Sequence, residues 1–350
     1  MLWLALAVVS VGEGPVAGSA QAVKVTGQHL AHTGQVAAMD PQTALRRLDE
    51  WLKQGGSSLA QVVKLNVVVA SDGDTEAVGR ALQRQFGGWR QKPAVSLVSG
   101  AVVDGARVAM DAVGVAAKVS PRSAQVGVLA AGRRVYVSGQ SASGGLEEAT
   151  RETLNKLKAN LEFAGSSLER VVQVKSFVDP VTSAGEVRRW VDAYFGGAPP
   201  PQVVVEWTMK GRIEIEVIAS APGSGGEAVE HLWPPEEKPS PVYCRLTRLA
   251  APETIYISGL FGRQGGSAEA QIRDIFGQLR AAAEGMGSDL RHLAKATYYV
   301  ADEESSRKLN ELRPEYYDAR RPPAASKAPV RGTGKVDRSV TLDMIAVAKR

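Results

Sequence analysis

Gly165-Ser166-Ser167-Leu168, followed by Val171-Val172, is the stretch that decides how this chain is built. It has two copies elsewhere. Gly56-Ser57-Ser58-Leu59 precedes Val62-Val63, and Gly287-Ser288-Asp289-Leu290 precedes Leu293-Ala294. The offsets, 109 and 122 residues, are domain-sized and far longer than a solenoid repeat. Other triplets recur in constant order. Upstream lie Thr33-Gly34-Gln35, Ser138-Gly139-Gln140 and Ser258-Gly259-Leu260; downstream lie Val108 to Asp111, Ile213 to Glu216 and Val340 to Asp343. One shared triplet is chance, but an ordered series is triplication of a module.

Each copy reads alike. An apolar run enters the Thr/Ser-Gly turn, and a helix follows. In the second copy Thr150, Leu154, Leu157, Leu161 and Ala164 fall at steps of three and four, which places them on one helical face. Ile272, Ile275, Phe276, Leu279 and Ala283 repeat the pattern in the third. The helix stops at Gly56, Gly165 or Gly287, where positive φ is cheap. β-rich runs come next at Leu65–Val69, Val174–Val178 and Ala296–Val300. A second helix carries Val187, Trp190, Val191 and Tyr194 in copy two, and Leu309, Leu312 and Tyr316 in copy three, where Pro314 should kink or shorten it. Two strands close the module. The expected organisation is module one over residues 1–116, module two over 117–222, a Gly/Pro/Glu-rich linker over 223–240, and module three over 241–350.

Composition narrows the function. The chain has 350 residues, 44% hydrophobic and 23% charged, an ordinary globular balance. A net charge of +5 is small for this length, and no basic stripe interleaves with aromatics, so no nucleic-acid partner is expected. No apolar run spans a bilayer, so no membrane partner is expected either. Cys244 is the only cysteine, and His29, His32, His231 and His292 are scattered; neither a disulfide, a metal site nor a cofactor is indicated. Leu2 to Val11 has signal-peptide length but lacks a basic start. A cytoplasmic location is expected, with export as the alternative.

With these stretches in view, Val135 to Ala221 resembles the YjgF/RidA family of reactive-intermediate deaminases. The resemblance rests on VYVSGQ, LEFAGSSLERVV, VKSFVDP, VRRWVDAYFGG and IEIEVIA. The outer modules match through AHTGQVA, GSSLAQVV and LQRQFGG, and through IYISGL, LNELRPEYY and VTLDMIAVA. The resemblance implies an α+β, chorismate-mutase-like fold, with each module a sheet backed by two helices. Single-module members associate as trimers with ligand clefts between subunits. Three modules in one chain should therefore close as a monomeric intramolecular pseudo-trimer, with a small-molecule ligand in the inter-module clefts. Its buried sheet face is expected to carry Val67, Val69, Phe177, Val178, Tyr298 and Val300.

The resemblance also implies a reaction, hydrolysis of enamines or imines with release of ammonia. The family's acid maps onto Glu216, Asp111 and Asp343, the catalytic candidates. Gly34, Gly139 and Gly259 allow backbone to approach a ligand closely and Thr33, Ser138 and Ser258 add hydroxyls, so with Gln202 they are the substrate-binding candidates; the alternative is a tight turn that needs glycine. The family's carboxylate-binding Arg is missing: Val95, Gln202 and Ala325 stand in its place. A guanidinium grips a carboxylate bidentately, and Gln202 offers only neutral hydrogen bonds. Arg90, Lys327 or Arg331 are the nearby replacement cations. The expected function is a RidA-like hydrolase with an altered small polar substrate. The alternative is a non-catalytic binding or structural protein. Nuclease activity is discounted, because no carboxylate cluster for a metal pair is visible.

Overall fold

The computed structural model describes residues 7–208 and 212–349. Half of the signal-like segment, residues 2–6, lies outside them; Val8–Glu13 forms β1, which pairs antiparallel with β2 (Ala20–Thr26). Among the described residues no helix is long and apolar enough to cross a membrane.

The fold is α+β, with the same order of elements in each third. In the first third β2 and β3 (His29–Thr33) precede α1 (Pro41–Gln54), with short β4 (Val36–Ala38) between. Then come β5 (Val62–Val69), α2 (Thr75–Phe86), β6 (Ala94–Ser99) and β7 (Val108–Ala116). The middle third has β8 (Val126–Leu129), β9 (Arg134–Gln140), α3 (Leu146–Phe163), β10 (Val171–Val178), α4 (Ala184–Phe195), β11 (Gln202–Glu206) and β12 (Ile213–Ser220). Then β13 (Val229–Leu232) leads to β14 (Leu246–Leu249), β15 (Glu253–Phe261), α5 (Ala268–Gly285), β16 (Leu293–Val300), α6 (Glu303–Leu312), β17 (Ala324–Pro329) and β18 (Val340–Ala346).

Local signals explain the elements. Asp40 accepts the Thr43 amide hydrogen bond, and Pro41 opens α1, where a missing N–H costs nothing. Ser267 does the same for α5 through Ala270. The helical stripes read from the sequence at Leu154, Leu157 and Leu161, and at Ile272, Ile275 and Leu279, are buried. Gly56, Gly165 and Gly287 have φ of 71°, 72° and 77°. Helix α6 ends at Leu312, before Pro314. The stretch expected to be a plain linker contains β13, which pairs with β14; Val229 is buried and the rest of the strand half-exposed, as an edge strand allows.

Strand exchange joins the thirds. Within each, the second strand, the two after the helices and the last pack as one sheet: β17-β16-β18-β15, β6-β5-β7-β3 and β11-β10-β12-β9. The first strand of each third pairs elsewhere. β2 lies antiparallel on β15 of the last third, β8 on β3 of the first, and β14 on β9 of the middle. Each lent strand covers a sheet edge that would otherwise expose a row of N–H and C=O groups.

One expectation is corrected here. Val67 and Val69 do not face the other thirds; they pack with Leu45, Leu48 and Val78 of their own helices. Tyr298 and Val300 do the same with Ile272, Phe276 and Leu309. The residue between each pair, Val68 or Tyr299, joins the cluster of the middle third, which holds Phe177 and Val178. These strands are buried on both faces, so alternation of apolar residues does not tell which face points inward.

Candidate functional site

The inward faces of β5, β10 and β16 carry ionisable residues. Neighbours across the ladders align them: Asn66 faces Asp111, Lys175 faces Glu216, and Thr297 faces Asp343. Two residues earlier on the same strands stand Lys64, Gln173 and Lys295.

These side chains meet across the thirds. Lys64 Nζ donates to Asp343 Oδ1 at 2.7 Å, to Ser96 Oγ at 2.7 Å and to the Ile257 carbonyl at 3.0 Å. Lys295 Nζ donates to Glu216 Oε2 at 2.5 Å, and Ser326 Oγ donates to the same oxygen. Gln173, in the corresponding place, has no charge to give and donates to the Thr33 carbonyl at 2.8 Å. Lys175 Nζ donates to Tyr299 Oη at 2.7 Å and attracts Glu216, Asp111 and Asp343. Three lysines thus face three carboxylates: the middle third lacks the lysine at 173 and has one at 175, further along the same strand face. Sequence reading missed these lysines. The aligned strings VVKLN, VVQVK and LAKAT carried the signal, an ammonium recurring in strands that are otherwise apolar.

The three candidate acids are therefore brought together, but as parts of an internal ion network. Burial pushes the Glu216 carboxyl up, yet the Lys295 and Lys175 ammoniums outweigh it and hold it below the usual carboxylate range. Burial likewise penalises the Lys175 ammonium, and the Tyr299 phenol and surrounding carboxylates more than offset this, so its pKa is raised. Asp111, hydrogen-bonded by Asn66 Nδ2 at 2.8 Å, makes no ion pair among the described residues; burial raises it to about 6 against the opposing pull of Lys175. Beside the network, Glu214 is raised to about 7 by burial and by the Glu216 charge. Part of Glu214 remains exposed, but its Oε1 is enclosed and has no hydrogen-bond partner among the described residues.

The Thr/Ser-Gly steps are not the expected turns: Ser138–Gln140 continues β9 and Ser258–Leu260 continues β15, each at a register shift in its ladder, and all three steps sit at the seams, where backbone approaches a neighbour. Thr33 Oγ1 accepts from the Ala112 amide, and the Gln35 amide donates to the Gln202 carbonyl. The Gly139 amide donates to Ser326 Oγ at 3.0 Å; a Cβ there would come within 1.9 Å of Glu214 Oε1, so any larger residue would have to displace the Glu214 side chain. Ser138 Oγ accepts from Gln140, keeping it inside its own strand. Ser258 Oγ donates to the Ala20 carbonyl and accepts from the Val95 amide, while Gly259 lies over Ser96.

The first of these seams is open. A cleft of about 710 Å³ lies between the first and middle thirds, lined by Gly34, Gln35, Trp51, Arg47, Arg188, Asp192 and Gln202. Gln202 Nε2 donates to Asp192 Oδ1 at 2.7 Å and weakly to the Arg188 carbonyl. Burial raises the Asp192 carboxyl, against the opposing pull of Gln202 and Arg188. Asp111, Glu216 and Asp343 do not line this cleft. Nor do Arg90, Lys327 or Arg331: Lys327 donates to Ser306 Oγ, and Arg331 pairs with Glu206 at 2.6 Å. The cations that do line it are Arg47 of α1 and Arg188 of α4. Arg188 and Asp192 stand four residues apart on α4, which puts both on the face that borders the seam.

Comparison with known proteins agrees with this layout. The endoribonuclease L-PSP family model matches residues 115–221 and again 238–348, together well over half the chain. A RutC family protein of Pyrococcus horikoshii is 33% identical over 85 residues, which cover 23% of this chain and 68% of that protein. A RutC family protein of Pyrococcus abyssi is 32% identical over 85 residues, 23% of this chain and 67% of its own length. Among solved structures, a YjgF-family member from Neisseria meningitidis aligns with 21% identity and a TM-score of 0.27, over 35% of this chain and 96% of that one. RidA from an Antarctic Psychrobacter aligns with 24% identity and a TM-score of 0.25, over 27% of this chain and 80% of its own. With two segments matched in tandem, the chain belongs to the endoribonuclease L-PSP family, as a YjgF/RidA-type protein with repeated modules.

Proposed function

We propose that this protein is a RidA-like hydrolase that releases ammonia from an imine, an enamine or a related small polar substrate, and that it works in the cleft between the first and middle thirds. The observation that carries this reading is the joint presence there of Arg188, Asp192 and Gln202 beside Gly34. Arg188 and Arg47 supply the cationic partner that the missing family arginine would have given a substrate carboxylate. Asp192, partly desolvated and hydrogen-bonded by Gln202, exchanges protons with the reacting nitrogen and with water. Water adds to the C=N carbon as the π pair moves to nitrogen. A proton reaches nitrogen, the C–N bond breaks, and ammonia leaves as the carbonyl forms. Two of the interior carboxylates have a different task in this reading: Glu216 and Asp343, paired with Lys295 and Lys64, hold the thirds together.

The test is ammonia release from imines generated in place by an amino-acid oxidase. Asp192→Asn should lower turnover by roughly 10²-fold or more, the range of a positioned acid–base group. Arg188→Ala should raise KM for carboxylate-bearing imines more than it lowers kcat. Full turnover in Asp192→Asn would overturn the assignment.

A further inference from the structure

Each third places one ring at the same point of its second strand. His32 on β3 stands opposite Val113, Tyr136 on β9 opposite Ile218, and Tyr256 on β15 opposite Ile345. Val113, Ile218 and Ile345 each come two residues after the closing carboxylate of their third, so the three rings are repeats of one position. All three are buried. Two are phenols, and burial raises both above their ordinary range, so they stay neutral. The third is an imidazole, the side chain whose ordinary pKa lies nearest neutrality.

The surroundings of His32 suit only the neutral ring. Both ring nitrogens are enclosed and have no hydrogen-bond partner among the described residues. Across the ladder to β8 its partner is Gly127, where a Cβ would come within 2.4 Å of the Val172 carbonyl oxygen of β10; the middle third presses closely on this point. The charge that bears on the ring is Arg134 of β9, a buried guanidinium that makes no ion pair among the described residues. Its Nη2 donates to the Ala251 and Glu253 carbonyls at 2.7 and 2.9 Å. Gln173 of β10 favours the charged ring, but burial and Arg134 outweigh it and hold the imidazole at about 3. A second positive charge here would meet Arg134 with no carboxylate to balance either. Gly127, Arg134 and Gln173 all belong to the middle third, so parting the first third from the middle one relieves that charge. Thr33 and Gly34 follow directly in the chain, and Gly34 lines the open cleft of this seam.

We propose that His32 is an acid latch between the first and middle thirds: the seam is closed while the imidazole is neutral and opens as the medium becomes acidic enough to charge it. The sign follows from linkage. Below its ordinary 6.5 the ring takes a proton in the opened chain that it refuses in the closed one, so closure is favoured above pH ~6.5 and weakens as pH falls. The latch belongs to the seam itself and does not depend on catalysis in the cleft beside it.

The experiment compares the full chain with His32→Gln in urea titrations at pH 7.5 and pH 5. Asp111 and Glu214 also titrate in this interval, but alike in both chains, so the difference between the chains isolates His32. Relative to His32→Gln, the unmodified chain should lose roughly 30-fold in its ratio of folded to unfolded molecules over that interval, the loss expected when a ring of ordinary pKa is held at about 3. Two measurements on the unmodified chain need no variant. By NMR the His32 ring should stay neutral down to pH 5 while the protein is folded. By hydrogen exchange, corrected for intrinsic rates, β8 should lose more protection than β16 of the last third on going to pH 5. An equal pH dependence in the two chains would overturn the proposal. So would titration of His32 near 6.5 in the folded chain, or an equal loss of protection in β8 and β16.

Discussion

Glu216 shows how one residue's role is decided by its neighbours. By its place in the strand it is the family acid, but Lys295 at 2.5 Å and the nearby Lys175 keep it ionised. A buried pair broken on one side leaves an uncompensated charge at a cost of roughly 3–5 kcal/mol. Glu216→Gln should therefore lower the urea midpoint sharply, while ammonia release per folded molecule changes far less than in Asp192→Asn. Asp111 gives a pH signature. Its folded pKa, about 6, lies above the unfolded value of 3.8, so the folded state binds the proton more tightly. Its favourable contribution is complete below pH ~4 and is lost as pH rises through ~6. Urea titrations at several pH values should show this loss in the unmodified chain. Asp111→Asn should lack it, and should gain on the order of 1–3 kcal/mol relative to the unmodified chain at pH 8. Glu216, with its lowered pKa, works oppositely and loses its contribution as pH falls. The candidate acids were legible as positions because each keeps a carboxylate. Their pairing was not, because the lysines that neutralise them come from strands about 80 and 280 residues away in the sequence.

At the scale of elements, the helices and their stops were legible: Leu154, Leu157 and Leu161 have the right spacing, and Gly165 takes the positive φ that ends the turn. The inward face of β5 was not. VVKLNVVV is apolar on both faces, and Val67 and Val68 look alike in the sequence. Lys64 and Asn66 mark the inward set, because a charge tolerates burial only where partners wait for it. The shift of lysine from 173 to 175 on β10 is a compensated transposition. Gln173→Lys adds a fourth ammonium and Lys175→Asn removes the central one, so each alone should destabilise. The double variant, which copies the β5 arrangement, should cost less than the sum of the two by ~1 kcal/mol or more in denaturant titrations. Exchange of β2, β8 and β14 was equally hidden, since a two-residue link such as Gly27-Gln28 ordinarily makes a hairpin within one sheet.

At the scale of the molecule, the tandem repeat carried most of the information, and its divergence carries the rest. Where the copies agree, at the Thr/Ser-Gly steps and the closing carboxylates, they build seams. Where they differ, as at His32 against Tyr136 and Tyr256, they give each seam its own chemistry. One chain satisfies itself: every third covers a strand edge of another, and Lys64, Lys175 and Lys295 face Asp343, Asp111 and Glu216 in its interior. A molecule built this way needs no further copies to complete its interior. Light scattering on the purified chain across a range of concentrations tests this most directly. A constant mass near 37.1 kDa is expected. A stable assembly near three times that mass would contradict it.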